Sequence, residues 1–212
     1  MDGSGPWNLA TTRSDFLQLR TDWDRLFAAN PRHSPFVSWG WVDAWLRHVA
    51  REHELQIISW SDASGIVRFF LPLHKLKQSL GLRSKKIMLV CNYGLECSDN
   101  LGCLRDVEYE DKSAELTAAA IQHYYPKRES ISLGFLDGTH EFPQRLEKCI
   151  AAHGRLVRVR PDAVCPAVDL PADWDEYLGQ LSYKFRSQVR RSCRQITGEE
   201  PPHHKVLGAD QA

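Results

Sequence analysis

Ser98 and Asp99 put a hydroxyl and a carboxylate side by side in a loop after Cys91-Asn92-Tyr93-Gly94. Such a pair can hold an amine or a hydroxyl by hydrogen bonding; the competing reading is an Asx-type turn closed by the same side chains. Glu96 and Asp137 are further acidic candidates near strand ends. Each reads more simply as a solvated loop carboxylate than as a general base, which must reach the proton it removes. His74, His123, His140 and His153 are scattered, and no Ser-His-Asp or Cys-His signature emerges. Cys91, Cys97 and Cys103 recur at even spacing, but zinc ligands usually come in closer pairs with histidine nearby. Buried thiols are the simpler reading, and no metal is expected. His203-His204 lies in a polar tail, where exposure to solvent accounts for it.

A second group is cationic. Lys184, Arg186, Arg190, Arg191 and Arg194 crowd the second half of one apparent helix. Cations late in a helix oppose the negative end of its dipole. The sharper alternative is contact with phosphate, for which the arginine fork is matched, and it singles out Lys184, Arg186, Arg190 and Arg191. Lys75, Lys77, Arg83, Lys85 and Lys86 form a basic loop region, by default a solvated face, otherwise a contact for an anionic acceptor or a lipid-carrier phosphate. Over 212 residues the 27 basic and 27 acidic side chains cancel, so the whole chain offers no broad field for nucleic acid or an anionic surface. Nucleic acid is therefore not an expected partner.

Composition bounds the rest. A hydrophobic share of 42% with 25% charged residues is that of a globular domain, not of a disordered chain. The longest apolar run, around Ile66–Leu73, contains Arg68 and falls well short of the ~20 residues that span a bilayer. Six cysteines and a polar N-terminus without an apolar signal core point to reduced thiols and a cytoplasmic location.

The elements that must position these groups follow from periodicity. Trp7–Thr12 predicts a short strand, and Thr12 with Asp15 a capping box. Leu19, Trp23, Leu26 and Phe27 then form one helical stripe that ends at Asn30-Pro31. A second helix begins near Ser38; Trp41 and Trp45 share its core face, whereas Trp39 falls on another side and could line a cleft. Leu55–Trp60 and Ile66–Lys75 predict a hairpin across Ser61–Gly65, with Pro72 marking an edge, a bulge or the strand's exit. Strands are expected at Lys86–Val90, Leu101–Leu104, Ile131–Leu136, Arg155–Arg160 and Val164–Leu170, and helices at Lys112–Tyr125 and Phe142–Ala152. Asp173 and Glu176 mark the start of a last helix over Asp173–Thr197, whose apolar stripe includes Trp174, Leu178, Leu181 and Phe185. The expected fold class is α/β, one mixed sheet with helices on both faces, followed by a C-terminal linker helix.

Several strings together resemble a known family: Ser34-Pro35-Phe36 before Trp39, Trp41 and Trp45; Ile66 to Leu73; Ser98-Asp99-Asn100-Leu101-Gly102; and Cys165-Pro166-Ala167-Val168-Asp169-Leu170-Pro171 before Trp174-Asp175-Glu176-Tyr177-Leu178. They are similar to the N-terminal half of bacterial GNAT-like N-acyltransferases, in the cellulose-biosynthesis CelD-type or BioF-like acetyltransferase group related to FemAB-type transferases. The likeness covers roughly Phe16 to Ile196. It implies a GNAT-like N-terminal domain over 1–171, a basic linker helix over 172–198 leading to a second GNAT domain, and a disordered tail over 199–212. It also implies transfer of an acyl group from acetyl-CoA or another acyl-CoA to an amine, with Ser98 and Asp99 facing the acceptor cleft that Trp39, by its place on the helix, could also line. The family's CoA-binding loop would follow the basic helix, and no Gly-x-Gly loop opening a helix occurs here. The resemblance thus implies a truncated first half with no catalytic residue to assign and no acyl-CoA bound by this chain alone. The second GNAT-like domain or a partner chain would sit on Trp174, Leu178, Leu181 and Phe185. The alternative is a non-catalytic interaction module that associates through that same stripe.

Overall fold

The computed structural model describes residues 6–50, 53–76, 86–92, 98–127, 129–161, 164 and 168–197, which divide into two units, 1–162 and 163–212. In the first, Trp7–Ala10 forms β1 at one edge of the sheet. Thr12 then opens α1, Arg13–Gln18: its hydroxyl accepts the Asp15 N–H at 3.1 Å and Asp15 Oδ2 accepts the Thr12 N–H at 3.1 Å, the reciprocal box expected. The helical stripe is broken at Leu19, so α2 runs separately over Arg20–Ala29. Pro35–Val37 makes a single 3₁₀ turn before α3, Trp39–His48.

β2, His53–Ser61, and β3, Val67–Leu76, form the predicted hairpin. Asp62 Oδ1 holds its turn by accepting the Ser64 and Ile66 N–H groups, and Gly65 takes φ 77°. β4, Lys86–Leu89, pairs antiparallel with the second half of β3, and β5, Leu104–Arg105, with its first half. A second 3₁₀ turn, Val107–Tyr109, leads into α4, Ser113–Tyr124. α4 crosses over to β6, Ser130–Ser132, which lies parallel to β4. α5, Phe142–Ala152, closes at Gly154 with φ 71° as its pattern foretold. The described strands run β1-β2-β3-β4-β6, with β5 also on β3.

Helices cover both faces. Trp23 of α2 stacks on Phe70 and Trp45 of α3 meets His74, two even-numbered residues of β3 on one face. On the other, Trp7, Trp60 and Phe69 cluster, His123 of α4 stacks on Trp7, and Tyr125 lies beneath Lys75. The mixed α/β sheet expected from sequence is therefore present.

Three readings change. Pro72 sits inside β3 with strands on both sides, not at an edge. Its carbonyl accepts the Val90 N–H at 2.9 Å, and the β3–β4 ladder stops there because proline has no N–H to return the bond. Arg155–Arg160 and Val164–Leu170 supply no strand among the described residues, and Leu156 is fully exposed. Their alternation is a local signal, and a strand also needs a partner ladder. Ile131–Leu136 contributes only the short β6, half-buried where a buried strand was expected.

In the second unit the single helix expected over Asp173–Thr197 is two: α6, Trp174–Gln180, and α7, Tyr183–Thr197. Asp173 caps α6 as predicted, its Oδ1 accepting the Glu176 N–H at 2.7 Å. The break falls at Leu181-Ser182, where Leu181 is extended and Ser182 begins α7 by accepting the Arg186 N–H at its carbonyl and the Phe185 N–H at its hydroxyl. Serine competes for backbone in this way and favours helix starts over interiors. No helix among the described residues is long and apolar enough to cross a membrane.

Candidate functional site

Beyond the carboxyl ends of the parallel pair β4 and β6, the chain makes a crevice. Open α/β sheets bind ligands there because the loops leaving parallel strands diverge. The exits run close together: a Cβ on Gly134 would lie 2.9 Å from Asn92 Nδ2, and the Leu101 N–H donates to the Phe135 carbonyl at 2.8 Å. Three non-glycine residues at these exits are left-handed, Cys91 (φ 68°), Asn100 (φ 51°) and Phe135 (φ 59°). Each such residue costs roughly 1–3 kcal/mol and persists only where its surroundings enforce it.

These exits, the 32–34 loop, the start of α4 and the 136–142 segment enclose a cleft of about 320 Å³. One wall is an ionic network. Arg105 holds both carboxylate oxygens of Glu110 and the Cys103 carbonyl, and Asn30 Nδ2 donates to Glu110 Oε2 at 3.0 Å. Burial works against the ionised Glu110, but the Arg105 guanidinium and the Asn30 amide outweigh it and hold the carboxyl below its usual range. His33, 9% exposed, accepts the Arg105 N–H on Nε2 at 3.2 Å. Its Nδ1 faces the Leu26 and Phe27 carbonyls without a hydrogen bond of normal geometry. Burial, then the Arg105 charge, push its pKa down to about 4, so the ring is neutral near pH 7.

The opposite wall is acidic. Asp137 Oδ1 accepts the Thr139 hydroxyl at 2.6 Å and its N–H at 2.8 Å, which hold Asp137 below the usual carboxylate range. His140 Nε2 stands 3.5 Å from Asp137 Oδ2. Arg145 bridges Asp111 and Glu115. Arg105 and Arg145 are thus occupied by carboxylates, while among the described residues Glu141 and Arg32 make no ion pair. Glu110 and Asp137 are thus both held toward the ionised form, away from the near-neutral value that suits a general base.

The acceptor candidates Trp39, Ser98 and Asp99 do not line the cleft. Trp39 is a core residue, not a cleft residue: 7% exposed, it stacks flat on Phe16 at 4.1 Å and meets Trp23 edge-on. The 3₁₀ turn before α3 rotates that side of the helix onto α1. Ser98 is buried, and its hydroxyl accepts Trp41 Nε1–H at 3.1 Å. Asp99 is exposed and contributes its carbonyl, which accepts the Ser34 hydroxyl at 3.0 Å. Together they pin the segment that delivers Asn100 to the cleft. Of the phosphate candidates, Lys184, Arg190 and Arg191 are exposed on α7. Arg186 is occupied, its Nη2 capping the end of α6 through the Gly179 and Leu181 carbonyls. The expected stripe is discontinuous: Trp174 and Phe185 are exposed, Leu178 is buried and Leu181 half-buried. Glu96, Cys97, Cys165, Lys77, Arg83, Lys85 and the His203-His204 pair lie outside the described residues. Among the described residues no three His, Cys, Asp or Glu side chains converge as a metal set.

The 105/110 pair, His33, Asp111, Glu141 and Arg145 were invisible to sequence reasoning. Only Asp137 and His140 of the acidic wall drew notice, and nothing in their spacing links them to the 32–34 loop.

No family model matches the chain, and no curated protein matches it. Among solved structures, a mutant BH1408 protein from Bacillus halodurans is similar at 11% identity, with a TM-score of 0.39 over 76% of this chain and 99% of that one. A likeness that faint carries no weight for fold or function.

Proposed function

We propose that this chain is the acceptor-binding, GNAT-like domain of an N-acyltransferase resembling the CelD-type and BioF-like group, and that the cleft beyond β4 and β6 holds the acceptor amine. The observation that carries this reading is the acidic wall. Asp137 and Glu141 face a cleft in which Arg105 and Arg145 are already paired and Arg32 is the one lining arginine without an ion pair among the described residues, so an ammonium group finds two carboxylates there and a phosphate a single cation. In the reaction implied, the neutral amine attacks the thioester carbonyl of acyl-CoA, the amine's proton is removed, and the CoA thiolate leaves and is protonated. The cleft residues bind and orient the acceptor. The proton acceptor and the acyl-CoA site belong in this reading to a second GNAT-like domain.

Calorimetric titration with glucosamine and, separately, with acetyl-CoA tests this. Saturable binding of the amino sugar, weakened at least tenfold in Asp137→Asn/Glu141→Gln, is expected, without binding of acetyl-CoA. Tight acetyl-CoA binding would sink the domain assignment. Amino-sugar binding that is indifferent to the double substitution would sink the cleft.

A further inference from the structure

α7 is the most polarised element of the molecule. At about 100° per residue, Phe185, Ser192, Val189, Cys193 and Ile196 fall within an arc about 100° wide. Lys184, Arg191, Arg194, Arg190 and Arg186 span the remaining face, and no carboxylate occurs between Tyr183 and Thr197. The apolar arc is open: Phe185 is 50% exposed, Ile196 81%, and Cys193 is exposed. Tyr183 at the start of α7 and Trp174 on α6 are exposed as well.

We propose that α7 is an interfacial helix that docks on an anionic lipid surface, its apolar arc entering the acyl boundary and its cations meeting headgroup phosphates. Charge complementarity selects this occupant. The chain is neutral as a whole, yet this 15-residue helix gathers five cations and no anion. They are spread over the whole polar face. Arginine and lysine stems are long enough to carry these charges from the polar face back to the headgroup layer around an embedded apolar arc. Four of the five are arginines, whose planar forks bind phosphate oxygens in pairs. A narrow apolar arc, low net hydrophobicity and a densely basic opposite face are the pattern of helices that lie in the membrane interface. Arg186 keeps its bonds to α6 and so fixes the angle at which α7 is presented, while the other four cations remain available.

The test is co-sedimentation of the full chain with phosphatidylcholine vesicles prepared with and without phosphatidylglycerol. Binding only to the anionic vesicles is expected, lost as salt rises from low to about 0.5 M because screening shortens to a few ångströms. Each charge near such a surface contributes about fivefold in partitioning, so Arg190→Glu/Arg191→Glu, a change of four charges, should lower it on the order of 600-fold. Phe185→Ser/Ile196→Ser should lower it at least tenfold at unchanged charge. All four positions are exposed or half-exposed, and circular dichroism verifies that the variants fold. Absence of phosphatidylglycerol-dependent binding at low salt overturns the proposal, as does binding that survives both pairs of substitutions. Binding to random duplex DNA that needs the arginines but not Phe185 and Ile196, with no vesicle binding, would assign the helix to nucleic acid. Self-association by light scattering that both variants abolish, again without vesicle binding, would assign it to a second copy of the chain.

Discussion

Burial of His33 ties the stability of the first unit to pH in a narrow and unusual window. The folded ring has a pKa of about 4, against about 6.5 for an unperturbed histidine. Because the folded value is depressed, the stabilisation is complete above pH 6.5, where both states are neutral. It is lost as pH falls toward 4, since the unfolded chain takes up a proton that the folded chain refuses. The ceiling is about 3 kcal/mol, of which about 2 kcal/mol should already be gone at pH 5. With a urea dependence of about 2 kcal/mol per molar, the unfolding midpoint should drop by about 1 M between pH 7.5 and pH 5. Glu110 and Asp137 do not blur this window, because both are held below the usual carboxylate range and stay charged at pH 5. The control is His33→Gln, which can still accept the Arg105 N–H but does not titrate. It should be less stable at pH 7.5 and yet shift little between the two pH values. Equal shifts in the wild type and the variant would refute the assignment of a buried neutral ring.

Trp39→Ala should cost about 3–5 kcal/mol in urea unfolding, because it empties the stack against Phe16 and Trp23; a near-neutral result would return Trp39 to the cleft. Glu110→Gln leaves the largely buried Arg105 without its counter-charge and should cost on the order of 2 kcal/mol, read as a lower melting temperature. Ser98→Ala removes the acceptor of Trp41 Nε1–H and should cost about 1 kcal/mol; hydrogen exchange should speed up in the 98–101 segment while the core strands hold. Iodoacetamide labelling followed by mass spectrometry should modify exposed Cys193 in the native protein and spare Cys91 and Cys103 until urea is added, because burial excludes the reagent and raises the Cys103 pKa.

Features of the fold that rest on local chemistry were legible in the sequence: the Thr12 box, the hairpin across Ser61–Gly65, the α5 stop at Gly154 and the Asp173 cap all depend on residues within a few positions of one another. Features set by distant partners were not. The alternation in Arg155–Arg160 is as regular as that of a real strand, and no ladder in the described chain receives it. Trp39 was misread because the orientation of α3 depends on the 3₁₀ turn at Pro35–Val37, not on the helix's own period. The site failed to show for the same reason. His33, Arg105, Glu110 and Arg145 are separated by as many as 112 residues in the numbering and meet only after β5 pairs with β3. Ser98 and Asp99 drew attention as a polar pair, and what they do is anchor the loop beside the cleft.

One missing hydrogen at Pro72 reaches further than its own strand. β3 offers one flank to two clients in succession, β5 at Phe69-Phe70 and β4 from Leu73 onward, and the handover falls at Pro72. A donor there would return the bond that Val90 gives and let β4 zip on toward Phe70, into the place that Leu104 and Arg105 occupy. Arg105 brings Glu110 and His33 with it, so the wall of the cleft owes its room to an imino acid that declines to pair. Pro72→Val is thus a substitution whose first casualty would be the shape of the crevice.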